Sequence, residues 1–519
     1  MPAHHKAHRP LILSVFLLAL LGLALLQSLS LPRWSVGFLA AQSARTLILT
    51  GSTDLNRMTS PPPEEEGNNL PLTRMGPDYA SVNLGHILTM LPFAGLGELA
   101  QSIFNHPQPD FIPLKFCSVS NLLFSALVPA LLLALLLALG FTPRVSLATT
   151  ALFSLATIFG AFALGSECSE ALLAFALLAS FYSLVRYSQN HRRGWLALSS
   201  VSALYLVSLK PYAPIFIIPL AVYLLLVSPP PWRRNWTDLA FLLLPSMVMS
   251  GVVFTFNYHR FGSIWGMFSP FELWGSGNIA SGIYGLLLSP GAGLFLYSPV
   301  LLLSILGLRR FVHLHRREAI FALLNLALLL VLFSPCWFWG GDFLWGSRYL
   351  LVAIAPLMVA CAHLLRKVSR RAKYIALVAF LTIGLVVQIP SWFISLSAPS
   401  ELIPSYPLLA NYPECSPLAL KWQALGVQLG KVFGKSAGVL EVYDWNRISR
   451  LGMEAFAGDQ ILRPFTLRVM VSPTAKIETM LAISLVAVLL MIGIVFFALR
   501  IPGTIRKWGD NEKRGLEGR

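Results

Sequence analysis

The sequence carries little charge. Lys, Arg, Asp and Glu together make up 12% of its 519 residues, about half the roughly 25% usual in a soluble domain. That scarcity excludes an ordinary soluble enzyme. It also excludes disorder, which needs low hydrophobicity alongside high net charge. Acids are the rarer sign, 23 Asp+Glu against 39 Lys+Arg, for a net charge of +16. Cysteines are few and scattered: Cys117, Cys168, Cys336, Cys361 and Cys415. They form no CxxC and no Cys/His cluster, so no zinc site of the usual spacing is encoded. A disulfide between two outer-side cysteines stays open. Internal repeats are also missing, including the inverted kind found in secondary transporters.

What the chain has in plenty is apolar residues, 56% of the total, and they lie in blocks. Runs of about 20 apolar residues are long enough to cross a bilayer. Candidate spans fall at 11–31, 118–140, 145–165, 170–187, 195–209, 212–228, 239–257, 292–308, 319–337, 349–365, 374–394 and 479–499. The first could be a cleaved signal peptide, but its apolar run is long for one, and it reads as a retained helix. The pair flanking Lys210-Pro211 is short and reads as a tight hairpin. The connections alternate in charge. One set holds 23 Lys+Arg and 5 acids, the other 16 and 18. This is the positive-inside pattern. It predicts an all-α polytopic membrane protein of about 12 transmembrane helices with both termini cytoplasmic. The basic excess therefore encodes orientation and gives no evidence for a nucleic-acid partner.

The outer side holds the polar mass. The division expected is a transmembrane core over 1–395 with a first outer loop at 32–115, an outer-side loop or small cap at 396–476, and a last transmembrane helix with a basic cytoplasmic tail at 477–519. Two stretches of the first loop, 36–49 and 84–104, read as interfacial helices. In the cap segment, Leu418, Trp422, Leu425, Leu429 and Phe433 recur at helical spacing.

Charges near the outer boundary are the candidate functional groups. Asp54 and Asp78 sit beside the interfacial helices. Each could act as general base toward an acceptor hydroxyl or hold a divalent cation against a phosphate; a turn or cap aspartate is the bland alternative. Glu64, Glu65 and Glu66 follow three prolines and read as an exposed turn. Glu167 and Glu170 frame the whole turn between the third and fourth spans, either as a helix cap or as one face of a cavity. Lys210, between apolar runs, must snorkel or pair with an anion. Arg260 brings positive charge to the glycine- and aromatic-rich segment after span seven. The stretch SPCWFWGGDFLWGSRYL is the most unusual. Its aromatics, Trp339 and Trp345 among them, can stack on sugars, and Asp342, Arg348 and Tyr349 close it. Arginine binds phosphate bidentately.

Four segments carry a resemblance. WGGDFLWGSRYL is similar to the "WGG…GPRYL" segment of bacterial polytopic glycosyltransferases of the GT-C superfamily. FNYHRFGS resembles their "YN-x-x-RFGSP", YGLLLSPGAGLFLYSPVLLL their "GLL-SPG-G-L-YSP-LLL", and PDYASVNLGHILTMLPFAGLG their "YS-x-x-x-G-x-x-LL-x-LPF". The four occur in the family's order, and the similarity covers roughly residues 10 to 395. Relatives include protein O-mannosyltransferases and the lipid A aminoarabinose transferase. The resemblance implies a GT-C-like fold, a polyprenyl-phosphate-linked sugar donor, and a glycan, lipid or protein acceptor on the outer side of a bacterial inner membrane. It carries over most directly to Arg348 and Tyr349, although Ser347 stands where the family has proline. Family members usually place an acid just after the first span. LPRWSVGFL has Arg33 and none, so Asp54 in GSTDL is the first acid of the loop.

The expected activity is inverting sugar transfer. Asp54 or Asp78 is the candidate base, and Arg348 with Lys210 or Arg260 holds the departing phosphate. The stretch 337–345 would shape the sugar pocket. A divalent cation is optional where cationic side chains already hold the phosphate. The rivals are a lipid or solute transporter and a non-catalytic membrane protein on the same fold.

Overall fold

The computed structural model describes residues 2–26, 36–55, 82–164, 169–227, 232–266, 277–336, 339–340, 345–393, 413 and 416–432. Among them the regular elements are helices. Six are long and apolar enough to cross a membrane: Leu84–Phe104, Phe111–Ala138, Glu170–Asn190, Trp236–Phe261, Arg348–Lys367 and Arg371–Phe393. Shorter apolar helices lie at His8–Ala24, Arg193–Leu209, Ala213–Val227 and Ile279–Leu288. The chain is thus an all-helical polytopic membrane protein. The expected last span at 479–499 lies outside the described residues, as do Asp78, Glu167 and Asp342.

Helix α1 (Pro2–Leu26) runs along α4 (Phe111–Ala138), and α4 packs against α7 (Glu170–Asn190). The expected span at 145–165 is two helices, α5 (Pro143–Ala156) and α6 (Phe159–Leu164). Thr157 makes the break: its backbone is extended, and its hydroxyl donates to Phe153 O at 2.6 Å and accepts from the Phe159 amide at 3.3 Å. A β-branched residue that satisfies two backbone groups competes with the helix it interrupts. Helix α8 (Arg193–Leu209) returns antiparallel to α7, and a short 3-10 turn leads into α9 (Ile217–Val227). Helix α10 (Trp232–Phe261) follows. The expected span at 292–308 is likewise divided, into α12 (Leu294–Tyr297) and α13 (Leu301–Leu314), after α11 (Ile279–Leu288). Pro299 enforces this division by removing a backbone donor. Helices α14 (Arg316–Phe333), α15 (Leu351–Lys367) and α16 (Arg370–Phe393) complete the bundle. The core is aliphatic with stacked rings; Phe181 lies on Phe321 at 3.8 Å.

The bundle has two chemically distinct ends. At one, His315 in the α13–α14 turn bridges Leu139 O at 3.2 Å and His363 Nε2 at 2.9 Å, and Gln189 donates to Ala138 O at 2.7 Å. Arg192, Arg193, Arg309, Arg310, Arg316, Arg317, Arg366 and Lys367 sit on the elements that meet there. The other end gathers the start of α7, the end of α8 and the start of α15.

Helices α2 (Val36–Thr50) and α3 (Leu84–Phe104) belong to that second end. Length and composition alone would let α3 cross. Yet its start lies beside the α8 terminus, and its finish leads within six residues into the start of α4, whose other end is at the basic face. Both ends of α3 are therefore on one side, so it lies across the bundle, as an interfacial helix does. Pro92 is carried inside it without a break. Buried Arg45 of α2 ties the arrangement down by pairing with Glu98 of α3 and with Asp110 before α4. The expected cap helix is present as α17 (Pro417–Val432), seated on α16. Cys117, Cys336 and Cys361 are buried free thiols; Cys168 and Cys415 lie outside the described residues.

Candidate functional site

Lys210 ends α8 in extended backbone. The proline that follows disfavours helix at this position. The turn drops Lys210 Nζ to 3.9 Å from Glu170 Oε1, at the first residue of α7. Glu170 is buried, while the Lys210 side chain keeps 18% of its surface open. The charge of Arg348 also acts on Glu170, as does His86. Glu170 and Lys210 thus meet directly, and Arg348, from a span far away in sequence, is near enough for its charge to act on Glu170. The set carries two cations and one carboxylate.

His86 joins them because α3 approaches α8 unusually closely. Gly85 allows this: a Cβ there would stand 2.7 Å from the Ser208 carbonyl carbon. The pair is then latched by Thr89 Oγ1 and Tyr205 OH at 2.6 Å. His86 is buried, remote from Lys210 in sequence, and feels the charges of both Lys210 and Glu170. Among the described residues, His86 Nδ1 and Glu170 Oε2 are buried polar atoms without a hydrogen-bond partner. Left unpaired, each such atom costs about 1–3 kcal/mol.

Arg348 stands on the 3-10 turn that opens α15. Its guanidinium lies 5.1 Å from the Tyr349 ring, with Nη2 3.4 Å from the hydroxyl. Tyr349 stacks on Phe333 at 4.0 Å, and Phe333 meets Tyr212 edge-on at 5.2 Å. Tyr212 closes the ring of groups. Burial, then the Glu170 charge and Tyr349, hold its hydroxyl well above the usual phenol range, against a smaller opposite pull from Arg348. It is therefore a neutral hydrogen-bond donor.

The remaining candidates lie around this centre. Arg260, at the end of α10, donates to Val82 O at 2.9 Å and is flanked by the rings of Phe256 and Phe261. It sits at the end of an open, largely apolar face of α10 formed by Val248, Val252, Thr255 and Phe256, with His259 beside it. Asp54 is 8% exposed, its amide donating to Ser52 Oγ at 3.2 Å. Its neighbour Leu55 packs in one cluster with Val82, Ile87 and Phe256. Trp339 packs its ring against Gly285. Trp345 is fully enclosed, with its indole N–H donated to Gln388 Oε1 at 2.9 Å, and offers no face to a sugar. It lies three residues before Arg348 in the chain. Among the described residues no group of three His, Cys, Asp or Glu could hold a metal ion.

Sequence reasoning singled out Glu170, Lys210, Arg348 and Tyr349 but missed His86 and Tyr212. A lone histidine in NLGHILTM reads as core, and its one signal was the glycine before it, which marks a close helix approach.

No protein-family description matches the chain, and no curated protein does. Among solved structures it is similar to ArnT from Cupriavidus metallidurans in the apo state, with a TM-score of 0.47 and 14% identity over 96% of this chain and 75% of that one. The same enzyme bound to undecaprenyl phosphate gives 0.46 and 14%, over 95% and 74%. The archaeal oligosaccharyltransferase AglB from Archaeoglobus fulgidus, in complex with an inhibitory peptide and a dolichol-phosphate, gives 0.40 and 13%, over 75% and 56%.

Proposed function

We propose that the chain is a membrane glycosyltransferase that moves a sugar from a polyprenyl-phosphate donor to an acceptor on the outer side of the membrane. The observation that carries this reading is the pairing of Lys210 with buried Glu170, with the charge of Arg348 acting on the same carboxylate. Cations gathered there fit a phosphate, and the open apolar face of α10 that ends at Arg260 fits an isoprenoid chain by its chemistry. Three of the four family-like segments supply charged or polar residues to this region: Arg348, Arg260 and His86.

The reaction is direct displacement with inversion. The acceptor oxygen forms a bond to the anomeric carbon as the bond from that carbon to the phosphate oxygen breaks. The phosphate leaves with the electron pair, and Arg348 and Lys210 stabilise the charge that develops on it. Asp54 is the proposed acceptor of the hydroxyl proton, with Asp78 second. Glu170 holds Lys210 in place and, through Oε2, can accept a sugar or acceptor hydroxyl. Tyr212, as a neutral donor, can reach the same substrate. The orientation follows from the basic face being cytoplasmic.

The test is transfer from a polyprenyl-phosphate sugar by the full chain in proteoliposomes. Arg348→Gln should lower kcat/KM about 10²–10³-fold, and Asp54→Asn at least about 10²-fold. Wild-type rates in Asp54→Asn, Asp78→Asn and Arg348→Gln alike would overturn the site. No transfer by a folded wild type from any lipid-phosphate sugar would overturn the reading.

A further inference from the structure

The cap helix α17 buries a lysine. Lys421 is fully enclosed, and its ammonium lies 4.8 Å from the centre of the Trp345 ring. Trp345 precedes Arg348 by three residues. Its indole N–H is donated to Gln388 of α16, and the Gln388 amide in turn donates to Tyr297 O at 2.6 Å. Tyr297 closes the circuit: its ring meets Trp345 edge-on at 5.1 Å, and its hydroxyl accepts from the Leu418 amide, in the first turn of α17, at 3.2 Å. Gly346, at φ +62° and pressed on Tyr297, and Ser347, bonded to Leu286 O and Ala292 O, fix the last two residues before the arginine.

We infer that α17 is a positioning element for Arg348, acting through Lys421, Trp345 and Gln388. The inference rests on Arg348 as the phosphate-holding side chain. Arg348 itself stands on a single 3-10 turn, so the direction of its guanidinium follows the three residues before it. Those residues are gripped from four sides, and α17 supplies the outermost grip. A cation over an indole is directional and holds best when water is excluded, as it is here. The cap thus aims the phosphate-binding arginine without touching substrate.

The test uses the full chain in nanodiscs with two probes, farnesyl phosphate and uncharged farnesol. Arg348→Gln sets the scale by abolishing the preference for the phosphate. Lys421→Met and Gln388→Leu are expected to weaken farnesyl phosphate binding about tenfold, the scale on which a lost supporting partner shows, with farnesol binding unchanged. Lys421→Arg should restore it. Trp345→Phe keeps a ring beneath Lys421 and removes only the bond to Gln388, so it serves if Lys421→Met does not fold. Parallel loss of both probes would mean a merely structural role and overturn the inference. So would wild-type phosphate preference in the Lys421, Gln388 and Trp345 variants while Arg348→Gln loses it. If Arg348→Gln itself keeps the preference, the phosphate reading fails and the inference falls with it.

Discussion

In the proposed reaction the central residue is Arg348. Its planar fork and its stacking on Tyr349 are both lost in a lysine, though the charge is kept. Arg348→Lys should therefore lose about tenfold in kcat/KM, clearly short of the loss in Arg348→Gln, as measured by transfer kinetics in proteoliposomes. Glu170 behaves differently. Removing one partner of a buried pair leaves the other uncompensated, but Lys210 is partly open to solvent. Glu170→Gln should cost about 1–3 kcal/mol, seen as a lower Tm of the solubilised protein. Much of this centre was legible in the sequence, because a charge between apolar runs is conspicuous: Lys210 in LYLVSLKPYAPIF and Arg348 in WGSRYL stand out. Tyr212 did not, since a tyrosine beside a membrane helix is expected for interfacial reasons alone. Trp345 stood out as one of five aromatics in a short stretch that suggested sugar stacking; in the structure it is fully buried.

At the level of elements, the contact between α3 and α8 positions the histidine. Gly85→Val would drive a branched side chain into Ser208, and overpacking of this kind costs about 1–3 kcal/mol. The same variant should displace His86 and depress transfer. Gly194 at the start of α8 has nothing within 4 Å of an added Cβ, so Gly194→Ala should be neutral or stabilising by up to about 1 kcal/mol. Thermal unfolding of the two variants side by side checks the contrast. Helix breaks were the least legible feature of the fold. The apolar run through Thr157 is uninterrupted in hydropathy, and only the threonine hydroxyl, which caps α6, shows why the chain bends. The break before α13 had a visible cause in Pro299.

For the whole molecule, the two ends carry the orientation. Asn278 and Arg192 are exposed and lie on opposite faces of the bundle. A cysteine placed at 278 should react with an impermeant maleimide in intact cells. One at 192 should react only after permeabilisation. The reverse pattern would turn the molecule over and remove the outer-side site. The alternation of charge makes this axis readable in the sequence alone, because it depends on counts in short loops rather than on contacts. Which helices lie flat was not fixed by hydropathy: α3 is long and apolar enough to cross, and only its neighbours at both ends show that it does not.

The covering of the Glu170–Lys210 pair has a consequence for ionic strength. Mobile ions screen exposed charges over about 10 Å at 0.1 M salt but reach enclosed ones poorly. Glu170 is closed off and Lys210 only partly open, so much of the attraction of this site for an anionic headgroup should persist in concentrated electrolyte. Raising sodium chloride from about 50 to about 500 mM should change KM for the lipid donor by less than about threefold. A steep rise in KM over the same range would place the donor on the exposed arginines of the opposite face.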